Sequence, residues 1–309
     1  MKKTLIALAV LGSVAGVAQA QSAVTVYGKL DVSVTKSTGT PTLLDHNHNS
    51  RLGFKGSEDL GGGLSAIFQI ENRFFADTGV QKGAQLFQAQ SNVGLKGNFG
   101  TVRLGRIYNP VDDIAAGLDP FGQDGVGSMM LNALVVTRQD NSIRYDSPSF
   151  NGFGVQAIYS LKEVAGAAGK NDGYGLSATY DNGPISLAAG WNRPTNQNDS
   201  SYAVIGGGYT FGPAKVTALY EDVKNKAGVV EVKQKNALIG LAYTIGAGTV
   251  NATYGQLKTA DNKDKKFAIG YTHNLSKRTS LYADASHKNP GAAGAESINA
   301  YEVGVTHNF

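Results

Sequence analysis

The chain has 309 residues, 28 lysines and arginines against 24 aspartates and glutamates, and no cysteine. A formal charge of +4 is too mild to imply a nucleic-acid partner, and without thiols there is neither a disulfide framework nor a thiolate metal site. The 40 glycines, 14 tyrosines and single tryptophan are not the composition of an ordinary enzyme.

The first segment stands apart. Lys2 and Lys3 precede an apolar run from Thr4 to Val17 and the small-x-small triplet Ala18-Gln19-Ala20. This is the pattern of a signal peptide, cleaved near Ala20-Gln21. The run is shorter than the roughly 20 residues of a spanning helix. Residues 21–309 are then one domain.

From there the hydrophobic period is two. Val24, Val26, Gly28, Leu30, Val32 and Val34 alternate with Thr25, Tyr27, Lys29, Asp31, Ser33 and Thr35. In an extended strand the two sets lie on opposite faces, one apolar and one polar. Phe153–Tyr159, Tyr174–Tyr180, Ile185–Trp191, Ala214–Tyr220, Ala237–Ile245 and Val250–Tyr254 repeat the alternation. Tyr301, Val303, Val305, His307 and Phe309 carry it to the last residue.

Short connections fall at Glu58–Gly63, Gly97–Gly100, Asp146–Gly152, Asp181–Pro184, Gly212-Pro213, Gly246–Gly248 and Asn274–Thr279. Long polar ones fall near 37–49, 75–86, 107–137, 161–172, 192–201, 222–231, 257–264 and 288–297. Seven short and eight long connections predict sixteen strands with both termini on the short-turn side, the signature of an outer-membrane β-barrel. A soluble sandwich also alternates. Against it, aromatics sit at the ends of the apolar faces: Tyr145, Tyr159, Tyr180, Trp191, Tyr209, Tyr243, Tyr254 and Tyr271. That is where a membrane-interface girdle belongs. Helix candidates occur only in the connection after residue 107.

The polar face would line the lumen. It holds Lys29, Asp31, Arg51, Lys55, Glu71, Arg73, Gln90, Arg103, Arg138, Arg144, Asp284 and Glu302, among others. A wall so charged cannot pack dry, and barrels of this size have room for water. An aqueous channel for ions and small hydrophilic solutes is the simplest expectation. The longest connection carries Asp112, Asp113, Asp119 and Asp124 with enough apolar residues to dock, Met129, Met130 and Leu131 among them. It is the candidate constriction. Facing it, the basic candidates are Arg51, Arg138, Arg103, Arg144 and Lys55.

Several long motifs, in order, carry a family resemblance. They are SRLGFKGSEDLGGGL at Ser50–Leu64, SAIFQIE at Ser65–Glu71, GNFGTVRLGR at Gly97–Arg106 and DPFG from Asp119 to Gly122. NSIRYDSP at Asn141–Pro148, YDNGP at Tyr180–Pro184, NLSKRTSLY at Asn274–Tyr282 and the ending VGVTHNF complete the set. With these, the chain resembles the trimeric general porins of beta-proteobacteria over its whole length. The resemblance implies an all-β, 16-stranded antiparallel transmembrane barrel with an inward-folded third loop. It implies a homotrimer with the first five strands at its centre, in contact with outer-membrane lipid and lipopolysaccharide. It also implies a C-terminal strand, marked by Tyr301, Val303, Val305 and Phe309, that is read by the barrel assembly machinery. Two positions of the family's basic ladder match Arg51 and Arg138. A third arginine aligns with Gln90, so only a weak to moderate anion preference is expected. Arg51 and Arg138 could equally form structural ion pairs with the third-loop aspartates.

Asp45, His46 and His48 cluster in the first long connection, but in a solvated loop they are expected to be merely polar, with no metal. No nucleophile–base–acid arrangement or phosphate-cradling glycine loop is visible, and neither an enzyme nor a cofactor is expected. A plugged anchor or adhesin barrel, or less favoured a barrel hydrolase, stays open as an alternative.

Overall fold

The computed structural model describes residues 23–45, 49–128, 136–163, 171–195, 200–227 and 230–309. The expected signal peptide, Met129–Leu131 and both loop histidines lie outside those residues. In chain order the strands are β1 (Ala23–Ser37), β2 (Leu43–Asp45), β3 (Arg51–Gly61), β4 (Leu64–Arg73), β5 (Gln90–Gly97) and β6 (Gly100–Tyr108). After helix α1 (Pro110–Leu118) come β7 (Arg138–Asp146), β8 (Phe153–Ser160), β9 (Gly173–Asn182), β10 (Ile185–Arg193) and β11 (Ser201–Phe211). The chain continues through β12 (Ala214–Ala227), β13 (Val230–Ile245), β14 (Gly248–Thr259), β15 (Asn262–Asn274), β16 (Thr279–Asn289) and β17 (Ile298–Asn308).

Among the described residues these form one antiparallel sheet. β2 is a three-residue addition in the first loop; the other strands make a closed barrel of sixteen. Closure runs through β1, which pairs with β3 from Ala23↔Ser57 to Lys29↔Arg51 and with β17 from Lys29↔Asn308 to Ser37↔Ala300. A closed sheet leaves no edge for lipid to contact unsatisfied.

The alternation lies as the sequence predicts. Val24, Val26, Leu30 and Val34 are exposed on the outside, whereas Asp31, Ser33 and Thr35 are buried within. Phe153, Val155, Tyr159, Tyr301, Val303, Val305 and Phe309 also face out. Only this parity meets hydrocarbon cheaply, since a lysine or arginine there costs about 2–4 kcal/mol at the midplane.

All seven expected short turns are present. Gly183, Gly212 and Gly246 each take φ of 56°, a left-handed conformation costly for residues with a Cβ. Two of the expected long connections differ. Around 222–231, β12 continues to Ala227 and β13 starts at Val230; around 257–264, only Ala260-Asp261 separates β14 from β15. There the apolar alternation stops where hydrocarbon would stop, but the hydrogen-bond ladder needs only a partner strand and continues into water. Lys224 and Lys233 both pair with Glu231 there, at 3.2 and 3.1 Å.

The barrel seam has its own lock. Gly28 and Phe309 exchange backbone hydrogen bonds of 3.0 and 3.1 Å, and the Phe309 ring lies over Gly28. A Cβ at Gly28 would meet that ring and come within 2.6 Å of the Arg51 carbonyl oxygen. Gly28→Ala is therefore expected to destabilise the barrel by about 1–3 kcal/mol, the usual range for overpacking. A lower unfolding midpoint of the heat-modifiable band on unheated gels is the check. An unchanged midpoint would show that the seam tolerates the shift.

Helix α1 starts where local chemistry favours it. The Asn109 side chain accepts the Val111 N–H at 3.0 Å, and Pro110 occupies the first turn, both standard helix-start devices. Val111, Ile114 and Leu118 share one face. They pack with Tyr202, Val204, Leu219, Val223 and Leu238 into a buried cluster. Those wall residues have the parity opposite to the exposed Ile205, Tyr220 and Ile239. The wall is cut back to receive the loop. A Cβ at Gly190, Gly206, Gly240 or Gly270 would reach Val111 (3.1 Å), Leu118 (2.6 Å), Pro120 (2.5 Å) or Phe121 (2.8 Å), respectively.

Candidate functional site

Three adjacent strands place cations in one row. Register pairs Lys29 with Arg51 across β1 and β3, and Arg51 with Arg73 across β3 and β4. Neighbouring strands are about 4.8 Å apart, and like charges so placed repel unless compensated. Compensation is partial. Lys29 lies 3.6 Å from Asp124, and Arg73 Nε lies 3.8 Å from Glu71. Arg51 has no carboxylate within ion-pair distance among the described residues; its Nε donates to the Asn49 carbonyl at 3.3 Å.

Arg138 opens β7 and joins this row from the side. Its guanidinium lies 4.2 Å from the centroid of the Tyr108 ring, and both Arg138 and Arg73 donate to the Tyr108 hydroxyl. One phenol thus fixes two guanidiniums, which orients them without neutralising either. No carboxylate lies within ion-pair distance of Arg138 among the described residues.

The third loop supplies the opposite side. Arg51, Arg73, Arg138, Lys82 and Tyr108 line one cavity with Asp112, Asp113, Asp124 and Lys266, enclosing about 660 Å³. The far end of the loop is tied twice. Lys266 Nζ donates to the Ser128 carbonyl at 2.6 Å, and the Val126 N–H donates to Glu302 at 2.9 Å.

The four loop aspartates have four different settings. Asp124 accepts from Asn49 at 2.5 Å as well as facing Lys29. Asp113 is held by Arg144 at 2.7 Å. Asp119 is buried and accepts the N–H groups of Phe121 (3.0 Å) and Gln123 (3.2 Å), so it caps a turn. Asp112 is buried with one carboxyl oxygen unpaired. Burial first, and the neighbouring Asp113 second, push its pKa up to about 7.

Not every sequence candidate joins this cavity. Arg144 is buried beneath it, holding Asp113, Asp146 and the Tyr108 carbonyl. Lys55 and Arg103 line a separate cavity nearer the turn rim. Gln90 accepts from Asn92 at 3.0 Å and pairs in register with Glu71. It therefore sits one inward-facing row below Arg51, and the arginine that completes the trio is Arg73. Lys82, Tyr108 and Lys266 were not legible as site residues, since they come from the second loop, the end of β6 and β15. Their one available signal was inward parity at the loop end of a strand, and it holds for Lys266 only; Tyr108 has the parity of the exposed Leu104 and enters the site past the irregularity in β6–β7 pairing.

The outer aromatics lie near both rims. Tyr145, Tyr180, Tyr209, Tyr243 and Tyr271 are towards the turns; Tyr159, Trp191 and Tyr254 are towards the loops. All are exposed except half-buried Tyr180, which packs 4.4 Å from Phe153. No exposed tyrosine or tryptophan occurs from β1 to β6 among the described residues. Ala89, just before β5, is fully buried, and its N–H donates to the Glu71 carbonyl at 3.2 Å.

Residues 7–293 match the family model of the Gram-negative porin. The chain is 34% identical to outer membrane porin protein 32 of Delftia acidovorans, over 99% of this chain and 95% of that protein. Its fold superposes on an anion-selective porin from Comamonas acidovorans with a TM-score of 0.85 and 30% identity, covering 94% of this chain and all of that one. A more distant likeness in fold alone is OmpT, an outer membrane protein of Vibrio cholerae in a trimer form, with a TM-score of 0.74 and 16% identity, covering 93% and 99% of the two chains.

Proposed function

Because this chain belongs to the Gram-negative porin family, we propose that it is an anion-preferring outer-membrane channel for passive diffusion of ions and small hydrophilic solutes, with Arg51, Arg73 and Arg138 setting the preference. One observation carries the assignment. Arg51 and Arg138 face the cavity without a carboxylate in ion-pair distance among the described residues, while two loop aspartates are engaged by Arg144 and Lys29. Fixed positive charge at the narrowest section offsets part of the hydration that an entering anion sheds. The printed character of the Comamonas relative agrees with that sign.

In this reading the third loop folds inward and narrows the lumen; the apolar seat of α1 and the ties at Ser128 and Val126 support it. Residues 1–20 are a signal peptide removed on export. The C-terminal residues Tyr301, Val303, Val305 and Phe309 serve assembly, and the rim aromatics anchor the barrel among lipid and lipopolysaccharide. Among the described residues the belt has no exposed tyrosine or tryptophan from β1 to β6. A face without interfacial anchors suits contact with other copies of the chain, and the trimeric Vibrio protein shares the fold. The proposed state is therefore a homotrimer built on that face. No enzymatic role is proposed.

The test is a planar bilayer under a salt gradient. A reversal potential of anion-selective sign is expected. A cation-selective sign, or no conductance from correctly folded protein, overturns the assignment.

The site also sets a pH dependence. Asp112 is neutral below about pH 7 and charged above it. The groups facing it are Asp113, Arg73, Arg138, Glu221 and Tyr202. Anion preference should thus decline as pH rises from about 6 to about 8, because negative charge appears beside the arginines. Asp112→Asn should flatten that step. A step of equal size in the variant would assign the titration to another group.

A further inference from the structure

Lys55, Lys96 and Arg103 stand together in a second cavity, on the turn side of the arginines. It encloses about 520 Å³, with Thr25, Gln69, Asn92 and Thr101 as further polar lining. The register arranges the three cations as a staircase. Lys55 lies in the row of Gln69 and Asn92, Arg103 in the row of Gly94, and Lys96 in the row of Thr101. Asn92, Gly94 and Lys96 succeed one another on the inward face of β5, so each row is about 7 Å nearer the turn rim than the last. Arg51 lies two rows above Lys55 on the same face of β3, about 13 Å away.

The charge of this staircase is largely uncompensated. Lys55 and Lys96 have exposed side chains and no carboxylate within ion-pair distance among the described residues. Lys55 has a ring beside it, its ammonium lying 5.2 Å from the centroid of Tyr27. Arg103 reaches Asp146 at 2.7 Å, and Asp146 also accepts from Arg144 at 2.8 Å. Arg144 reaches Asp113 as well, at 2.7 Å, so that network is balanced and the excess positive charge of the staircase is that of Lys55 and Lys96. The spacing exceeds the Debye length of about 8 Å at physiological salt across the whole staircase but not between successive rows. A small monovalent anion can touch one cation at a time. An anion with several oxyanion groups can bridge two, and the amide and hydroxyl groups of Asn92, Gln69 and Thr101 supply neutral donors between them.

We propose that this cavity is a second anion station, on the turn side of the constriction, that binds multivalent oxyanions carrying phosphate or carboxylate groups. The proposal rests on the channel reading above and adds to it a site with its own ligand class. Transport through the narrow section selects by sign. The station selects by valence, holding polyanions at the periplasmic mouth through contacts that chloride cannot make simultaneously.

The experiment uses the full-length channel in a planar bilayer with tripolyphosphate or citrate added on the turn side. Wild-type current is expected to show concentration-dependent block. In Lys55→Gln/Lys96→Gln the blocking concentration should rise about tenfold, equivalent to about 1.4 kcal/mol. Chloride-over-potassium selectivity should move far less than in Arg51→Ala. Block by both anions supports a general oxyanion site, and block by one assigns it to phosphate or carboxylate. Absence of block by either, or equal block of the wild type and the double variant, overturns the station. A channel that conducts with anion preference but shows no such block loses only the station. A folded barrel that does not conduct removes the channel reading beneath it. Heat-modifiable mobility of the double variant checks its folding, and Lys55→Arg/Lys96→Arg should restore the block.

Discussion

Replacing Arg51, Arg73 and Arg138 together by alanine is expected to lower the anion-over-cation permeability ratio about tenfold and to raise single-channel conductance. At about 5 Å in water, one unit charge contributes about 0.8 kcal/mol to a passing ion. Three such charges, reduced by screening, leave somewhat over 1 kcal/mol, and 1.4 kcal/mol is tenfold in the ratio. Conductance rises because three long side chains leave a cavity of about 660 Å³. Arg51→Ala and Arg138→Ala alone should each shift the reversal potential part of the way. Gln90→Arg should do little at the constriction, because its row is that of Glu71, which would pair with it. Tyr108→Phe removes the shared acceptor of Arg73 and Arg138 and should alter selectivity without altering charge. If the triple variant keeps wild-type selectivity and conductance in a salt gradient, these arginines are not the selective element.

Leu118→Asp is expected to release the third loop from the wall and leave a larger, noisier channel. Leu118 is buried with Val111 and Ile114 against Val204, Leu219 and Leu238. Truncation of such a leucine alone costs about 2–5 kcal/mol, and a carboxylate placed there adds an unpaired buried charge. The loss falls on the loop and not on the barrel. The sixteen strands close through their own ladders, β12–β13 and β13–β14 among them, and none of those hydrogen bonds involves α1. The unheated gel mobility of the barrel should persist while single-channel conductance rises and its variance grows. Wild-type conductance in Leu118→Asp would mean that the ties at Ser128 and Val126 hold the loop without its apolar face. Gly206→Leu attacks the same seat from the wall, since a Cβ there comes within 2.6 Å of Leu118, but it also comes within 2.5 Å of the Ala218 carbonyl on β12, so it should release the loop and lower the unfolding midpoint of the barrel as well.

Much of the architecture was legible in the chain because a barrel wall obeys a local rule. Val24 to Val34 and Tyr301 to Phe309 face outward at every second residue since an extended backbone leaves no other choice. The short turns carry glycine where φ must be positive, as at Gly183, Gly212 and Gly246. The hairpins at 222–231 and 257–264 were misread as long loops because hydropathy marks where hydrocarbon ends, not where pairing ends.

The site was less legible because it joins residues far apart in sequence. Arg51 and Arg138 stood out by motif, but the third arginine depended on register, and β3–β4 pairing places Arg73 opposite Arg51. Asp119 and Asp124 look alike in sequence, yet one caps a turn and the other faces Lys29. Gly190, Gly206, Gly240 and Gly270 are unremarkable in their own strands and become a seat only once α1 and DPFG lie against them. By itself the sequence determined the strands, their parity, the turns and the even count, because each depends on neighbours a few residues away. Only tertiary structure decided where the third loop rests, which cations stay unpaired and which cavity each enters. Those outcomes depend on contacts between side chains brought together by closure of the barrel, and no local period encodes them.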